Sequence, residues 1–226
     1  MKKIVFLLAT ALIVLSCDNS AKKSTDNTKD SIVERNEAQA IAYANGLEAW
    51  DKVEAIDFTF NVERDGKLLV SRAWTWKPKT DEITMTQNDE TVSYARSTMD
   101  SLTIKTDQSF INDKYWLLAP FQLVWDETAT TKAQDTATAP LSKQQMKMVT
   151  LTYPNAGGYT PGDAYDFYYT PDYEVKEWVF RKGNAAEPSM ITTWEDYEDY
   201  DGIKIAKMHQ RDGFKLYFTD VKVTTK

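Results

Sequence analysis

The sequence predicts a mainly β protein with a few helices, in which about ten or eleven antiparallel strands form one large curved sheet or a barrel. Runs of alternating apolar and polar residues recur along most of the chain, the signature of strands with one wet face. Asp-Gly pairs at 65–66, 201–202 and 212–213 punctuate them as hairpin turns. Helical spacing of apolar residues is confined to two short stretches, and no internal repeat of fixed period is visible.

The N-terminus is not part of that domain. Lys2 and Lys3 precede an uncharged run from Ile4 to Leu15. As a helix its twelve residues would span roughly 18 Å, short of the ~30 Å hydrocarbon core. Residues 1–16 therefore read as a signal peptide and not as a permanent membrane helix. Val14-Leu15-Ser16-Cys17 resembles the lipobox of bacterial lipoproteins, with Leu15 bulkier than the usual pattern. That resemblance implies an acylated Cys17 as the first mature residue, carrying palmitate-like chains. Cys17 is the chain's only cysteine, so it has no disulfide partner. At roughly 0.8 kcal/mol per buried CH₂, two or more chains would hold the protein firmly to a membrane. Residues 17–30, polar and without a large apolar side chain, read as a flexible tether. Residues 31–226 are expected to form a single domain.

Removal of residues 1–16 takes two lysines and no acid, leaving 25 basic against 34 acidic side chains, a net charge of −9. Such a surface argues against nucleic acid as a partner. The 7 Trp, 12 Tyr and 9 Phe point to a broad apolar interior or a cavity.

A first helix is expected where Ser31 and Glu34 make a capping box ahead of Ile41, Ala44 and Leu47, with Trp50 extending the stripe and Gly46 near its end. A hairpin follows. Ile56, Phe58, Phe60 and Val62 alternate with polar residues up to Asp65-Gly66. A two-residue turn would pair Phe58 with Ala73 and Phe60 with Ser71, putting Leu68, Val70 and Trp74 on the wet side. A three-residue turn with a glycine bulge instead pairs Phe60 with Val70, Phe58 with Arg72 and Ile56 with Trp74, and is the register expected. Arg72 then shares a face with Phe58, Trp74 and Trp76. There it can stack on the rings, hold an anion inside a cavity, or reach for water from a strand edge. Strands are expected at about 83–87, 91–96 and 100–105. Residues 108–125, dense in apolar side chains and interrupted by Pro120, read as a short helix plus an extended arm across a sheet face. Residues 127–140 read as an exposed, mobile loop. Strands at about 145–153, 164–170 and 175–182 precede a three-strand meander over 189–224.

No P-loop, dinucleotide glycine pattern or HExxH is present, and His209 is the only histidine. The acidic run Glu195–Asp201 lacks the ligand spacing of a calcium loop, since the positions that need carboxylates are Tyr197 and Met208. Asp163, Asp166 and Asp172 interleave with tyrosines as glycosidase carboxylates can, but strands of acidic proteins commonly read the same way. No enzyme activity, metal or cofactor is expected.

Taken with the lipobox, the tether, the helix ending in Gly46-Leu47-Glu48-Ala49-Trp50 and the many strands, the chain resembles envelope lipoproteins of the LolA/LolB-like half-barrel group. More narrowly, the stretches 110–113, 115–118, 159–165, 176–181 and 193–197 resemble an uncharacterised family of such lipoproteins. The resemblance implies a half-barrel with a helical plug, holding lipid or lipoprotein acyl chains in its hollow. It also implies a lipid-anchored place in the cell envelope, at an outer membrane facing the periplasm or the surface. The side chains expected to line the hollow are Phe58, Phe60, Arg72, Trp74, Trp76, Tyr115, Trp116, Phe121 and Trp178. A glycan or other polar ligand on an exposed aromatic platform, or a purely structural envelope role, are the alternatives.

Overall fold

The computed structural model describes residues 34–226. The signal peptide, Cys17, the tether and Ser31 lie outside the described residues. The chain runs through α1 (Glu37–Ala44), a 3₁₀ stretch (Leu47–Lys52), β1 (Val53–Arg64), β2 (Lys67–Lys77), β3 (Glu82–Gln87), β4 (Glu90–Ala95) and the long helix α2 (Ile104–Trp125). Then come β5 (Thr130–Thr138), β6 (Gln145–Thr152), β7 (Ala164–Tyr169), β8 (Val175–Arg181), β9 (Met190–Thr193), β10 (Glu195–Tyr200), β11 (Ile203–Arg211) and β12 (Phe214–Thr225). The strands form a seven-stranded sheet ordered β10-β11-β12-β1-β2-β3-β4 and a five-stranded sheet ordered β5-β6-β7-β8-β9. All pairings are antiparallel. Together they make an open, curved wall with twelve strands where ten or eleven were expected.

The two ladders meet at Trp194, where one expected strand is divided into β9 and β10. Thr193 and Gln210 face each other at the break, and the Thr193 hydroxyl both donates to the Gln210 carbonyl and accepts from its N–H, each at 3.2 Å. A side chain thus carries the bonding across the seam where the backbone ladder stops. The wall's two free edges are β4 and β5, and α2 is the segment that joins them. The helix is therefore obliged by connectivity to cross the hollow.

The first helix begins later than expected. The capping box forms at Asn36 and Gln39, whose side chains each accept from the other's backbone N–H at 2.9 and 3.0 Å, and Glu34 lies before the helix. Gly46 ends it at φ +100°, where an added Cβ would sit 1.8 Å from the Gly202 carbonyl oxygen in the β10–β11 turn. Only glycine fits that crossing. Trp50 packs on Trp76, Phe121 and Trp125, with ring centroids 4.6–5.8 Å away.

In the first hairpin the expected faces form with a different register. Val62 faces Val70, Phe60 faces Arg72, Phe58 faces Trp74 and Ile56 faces Trp76. The turn is the tight two-residue Asp65-Gly66, both at positive φ, and the extra residue sits inside β2 at Leu69, between the pairs Val62–Val70 and Glu63–Leu68. Moving the bulge shifts the pairing by two residues, which preserves the period-two face.

Three further expectations are corrected. Residues 100–105 are not a strand: the Asp100 carboxylate accepts from the Leu102 and Thr103 N–H groups and turns the chain into α2. Leu102 is 85% exposed. Residues 108–125 are not a helix plus an arm but the body of α2, two helical segments joined across a kink at Leu118, with Pro120 in the first turn beyond it. Proline removes one helical hydrogen bond and crowds the preceding turn, a cost of about 3 kcal/mol. Trp116 to Phe121 are all buried, and at about 1.5–3 kcal/mol for a large apolar side chain their burial offsets it. Residues 127–140 are not a loop: β5 pairs with β6 from Thr130–Thr152 to Thr138–Gln145. It is an edge strand exposed on both faces, so it carries no apolar alternation.

Candidate functional site

One face of α2 is fastened to the seven-stranded sheet by two buried carboxylates. Asp107 accepts from Arg96 Nε at 3.0 Å, from the Tyr94 hydroxyl at 3.1 Å and from the Tyr159 hydroxyl at 2.8 Å. Two turns on, Asp113 accepts from Arg72 Nε at 2.7 Å and Nη2 at 2.8 Å, from the Trp74 indole at 2.9 Å and from Asn112 at 3.0 Å. Both are fully buried. Burial pushes the Asp113 carboxyl above its ordinary range, against the pull of the Arg72 guanidinium. Between them, Phe110 packs on Trp74 and Trp76 at 5.4 and 5.6 Å. The i, i+3, i+6 spacing of Asp107, Phe110 and Asp113 keeps all three on this side of the helix.

The other face of α2 borders open space. A cavity of about 1310 Å³ lies between Gln108, Ile111, Asn112, Tyr115 and Trp116 of the helix and side chains of both sheets. The seven-stranded sheet supplies Phe60, Val62, Val70, Arg72, Phe214 and Leu216, and the five-stranded sheet Tyr165, Trp178, Phe180 and Met190. The volume exceeds the roughly 300–1,000 Å³ of ordinary small-molecule pockets. Rings dominate the side facing the five-stranded sheet: Tyr165 stacks on Trp178 at 5.4 Å and on Phe180 at 5.2 Å, and Tyr115 lies 4.7 Å from Tyr165.

The β6–β7 connection covers part of the hollow, lining it from Tyr153 through Thr160. Its base is closed by the Tyr153 N–H on the Asp163 carbonyl at 2.9 Å and the Gly162 N–H on the Pro154 carbonyl at 2.8 Å. Its far end is held by the bond from Tyr159 to Asp107. Polar side chains, among them Gln108, Asn112, Gln122 and Asp126, interrupt the rings of the wall. The Tyr115 hydroxyl and the Trp178 indole N–H are buried without a hydrogen-bond partner. Burial raises the Tyr115 hydroxyl well above the ordinary phenol range and pushes Tyr165 up to about 12. Lys114 faces the cavity too, with its ammonium 4.9 Å from the centre of the Trp76 ring. Burial first, and Arg96 second, lower its pKa to about 8.

Of the nine side chains expected to line a hollow, Phe60, Arg72, Tyr115, Trp116 and Trp178 border the cavity. Phe58, Trp74, Trp76 and Phe121 are buried in the packed core instead. Sequence reading missed Tyr153, Tyr159, Tyr165, Phe180 and Lys114. The tyrosine-rich run 165–173 was a legible signal for a ringed wall, whereas nothing local marked Tyr159 or Lys114. The carboxylates weighed for hydrolysis have structural partners: Asp163 accepts from the Gly183 N–H, and Asp166 accepts from Arg181 and Thr150. His209 packs within 4.2–5.9 Å of Trp194, Trp116 and Phe218, with neither ring nitrogen hydrogen-bonded. Among the described residues no group of His, Cys, Asp and Glu can hold a metal ion, and no helix is long and apolar enough to cross a membrane.

An open antiparallel wall, a helix crossing it and a ring-lined hollow between them define a β scaffold built around a cavity. No family model and no curated protein matches the sequence. Among solved structures the chain is similar to a DUF1329 family protein from Desulfovibrio piger, at 12% identity over 83% of this chain and 91% of that one, with a TM-score of 0.46. It is similar to a LolA superfamily protein from Nitrosomonas europaea, at 8% identity over 85% and 96% of the two chains, with a TM-score of 0.49. It is also similar to the Mycobacterium tuberculosis lipoprotein LppX, at 9% identity over 85% and 99%, with a TM-score of 0.30.

Proposed function

We propose that this chain is a non-enzymatic binding protein that takes a hydrophobic ligand, the acyl chains of a lipid or lipoprotein, into the hollow beside α2. The observation that carries the reading is the cavity of about 1310 Å³ walled by Phe60, Tyr115, Trp116, Tyr165, Trp178 and Phe180. A large space lined mainly by rings and aliphatic side chains suits a guest with no directional bonding. Acylation at Cys17 would hold the protein on an envelope membrane, the outer membrane in our reading, on its periplasmic or surface side.

Binding to an exposed aromatic platform is less well supported. Among the described residues, Tyr159 is the sole Tyr or Trp that is exposed. Native mass spectrometry after gentle extraction tests the proposal: co-purifying acyl species are expected. A clean apo mass, together with no quenching of Trp fluorescence by added fatty acid or phospholipid, would overturn it.

A further inference from the structure

We propose that the guest in the hollow is an anionic amphiphile whose carboxylate or phosphate pairs with Lys114. This rests on the ligand-binding reading above and specifies the chemistry of the head group. Three cations border the cavity, Arg72, Arg96 and Lys114. Arg72 is committed to Asp113 by two hydrogen bonds, and Arg96 to Asp107 by one. Lys114 has no hydrogen bond and no ion pair among the described residues. The one carboxylate lining the cavity, Asp126, accepts from the N–H and hydroxyl of Thr128 and is occupied in its own turn. The hollow is therefore bordered by a positive charge that no side chain contacts directly, with Asp81 and Asp107 acting on it only from a distance.

The surroundings of that charge suit a head group. Its ammonium lies over Trp76 and Phe110, at 4.9 and 5.6 Å from the ring centres, where the rings stabilise the cation without neutralising it. With a pKa near 8 it stays positive at neutral pH. In so apolar a place an anion gains more from the pairing than it would in water. A charge-assisted bond of this kind is worth about ten- to a hundredfold in affinity.

The test is calorimetric titration of the full-length protein with dodecanoate, dodecyl phosphate and dodecanol, which share one chain. An anion should bind at least about tenfold tighter than the alcohol. Whether the carboxylate or the phosphate is preferred tells a fatty acid from a phospholipid head. Lys114→Met should reduce the anions to the affinity of dodecanol, while Lys114→Arg keeps the preference. Equal affinity of the wild-type protein for all three overturns the assignment of Lys114 and leaves the cavity reading standing. Binding of none overturns both.

Discussion

Replacing Arg72 by methionine separates two roles for that side chain. In the structure its guanidinium makes two hydrogen bonds to Asp113, whose side chain is 0% exposed against 16% for Arg72. Arg72→Met keeps most of the aliphatic bulk but leaves a fully buried carboxylate with only Trp74 and Asn112 as neutral donors. Removing one partner of a buried pair costs about 3–5 kcal/mol. For a domain of this size each kcal/mol lowers Tm by about 2–4 °C, so the loss should be about 6–20 °C. Urea unfolding followed by Trp fluorescence measures it. The double variant R72M/D113L, which removes both charges, should recover most of the loss, and the cycle reports the coupling. The deficit should also shrink in acid. Burial raises the Asp113 carboxyl and Arg72 is the foremost opposing influence, so deleting Arg72 leaves a folded-state pKa further above that of the unfolded chain. A raised carboxyl favours the folded state below its unfolded pKa and loses that advantage as pH rises. If R72M unfolds within about 1 kcal/mol of wild type yet binds anions poorly, the guanidinium serves the ligand and not the helix, and the reasoning fails.

Other substitutions probe the remaining parts of the scaffold. His209 is held neutral by burial down to about pH 3, below its ordinary 6.5, so the unfolded chain takes up a proton between those values while the folded one does not. Stability should fall as pH drops through that window by up to about 1.4 kcal/mol per pH unit, and His209→Phe should flatten the slope; identical slopes in the two proteins would refute this. Gly46→Ala places a Cβ 1.8 Å from the Gly202 carbonyl oxygen and should cost more than about 2 kcal/mol, while Gly66→Ala, with open space around it, should cost only the positive-φ penalty of about 1 kcal/mol. Thermal melts order the two. Tyr159→Phe removes the 2.8 Å bond to Asp107 and should raise ligand association and dissociation rates together in stopped-flow fluorescence, with little change in Kd.

What could be read from the sequence was whatever has a local cause. The hairpins at Asp65-Gly66, Asp201-Gly202 and Asp212-Gly213 follow from turn chemistry and period-two alternation, which act within a few residues. Arg72 reached its expected face even though its partner strand was misregistered, because a shift of two leaves the pleat unchanged. β5 was invisible because a strand wet on both faces has no periodicity, and its cause is the backbone edge of β6. Pro120 looked like the end of a helix because the burial that offsets it comes from residues distant in sequence. The same holds at the site. Arg72 meets Asp113 across 41 residues and Tyr159 meets Asp107 across 52, so no local pattern could reveal that both carboxylates were already paired. Without those pairs Arg72 stayed open between stacking on rings, holding an anion and reaching for water, whereas it is paired and the cation without a direct partner is Lys114, one position beyond Asp113.

The hollow stays open because of how α2 is held. A curved wall of this size would otherwise bring its edges together, since edge strands pair readily when unprotected. Here the chain leaves one edge at β4 and enters the other at β5, so the 22 residues of α2, kinked at Leu118, lie between them. The helix is not placed midway. Asp107 and Asp113 tie it to the seven-stranded sheet by ion pairs, while the five-stranded sheet meets it through ring contacts such as Tyr115–Tyr165 and Trp116–Trp178 and through the single Tyr159–Asp107 bond of the β6–β7 connection. Ring contacts tolerate sliding better than a bidentate ion pair, whose geometry is fixed. Any change in cavity volume should therefore occur on the side of the five-stranded sheet. Its seam with the rest of the wall, where a threonine hydroxyl replaces part of the ladder beside Trp194, is where that motion would be absorbed.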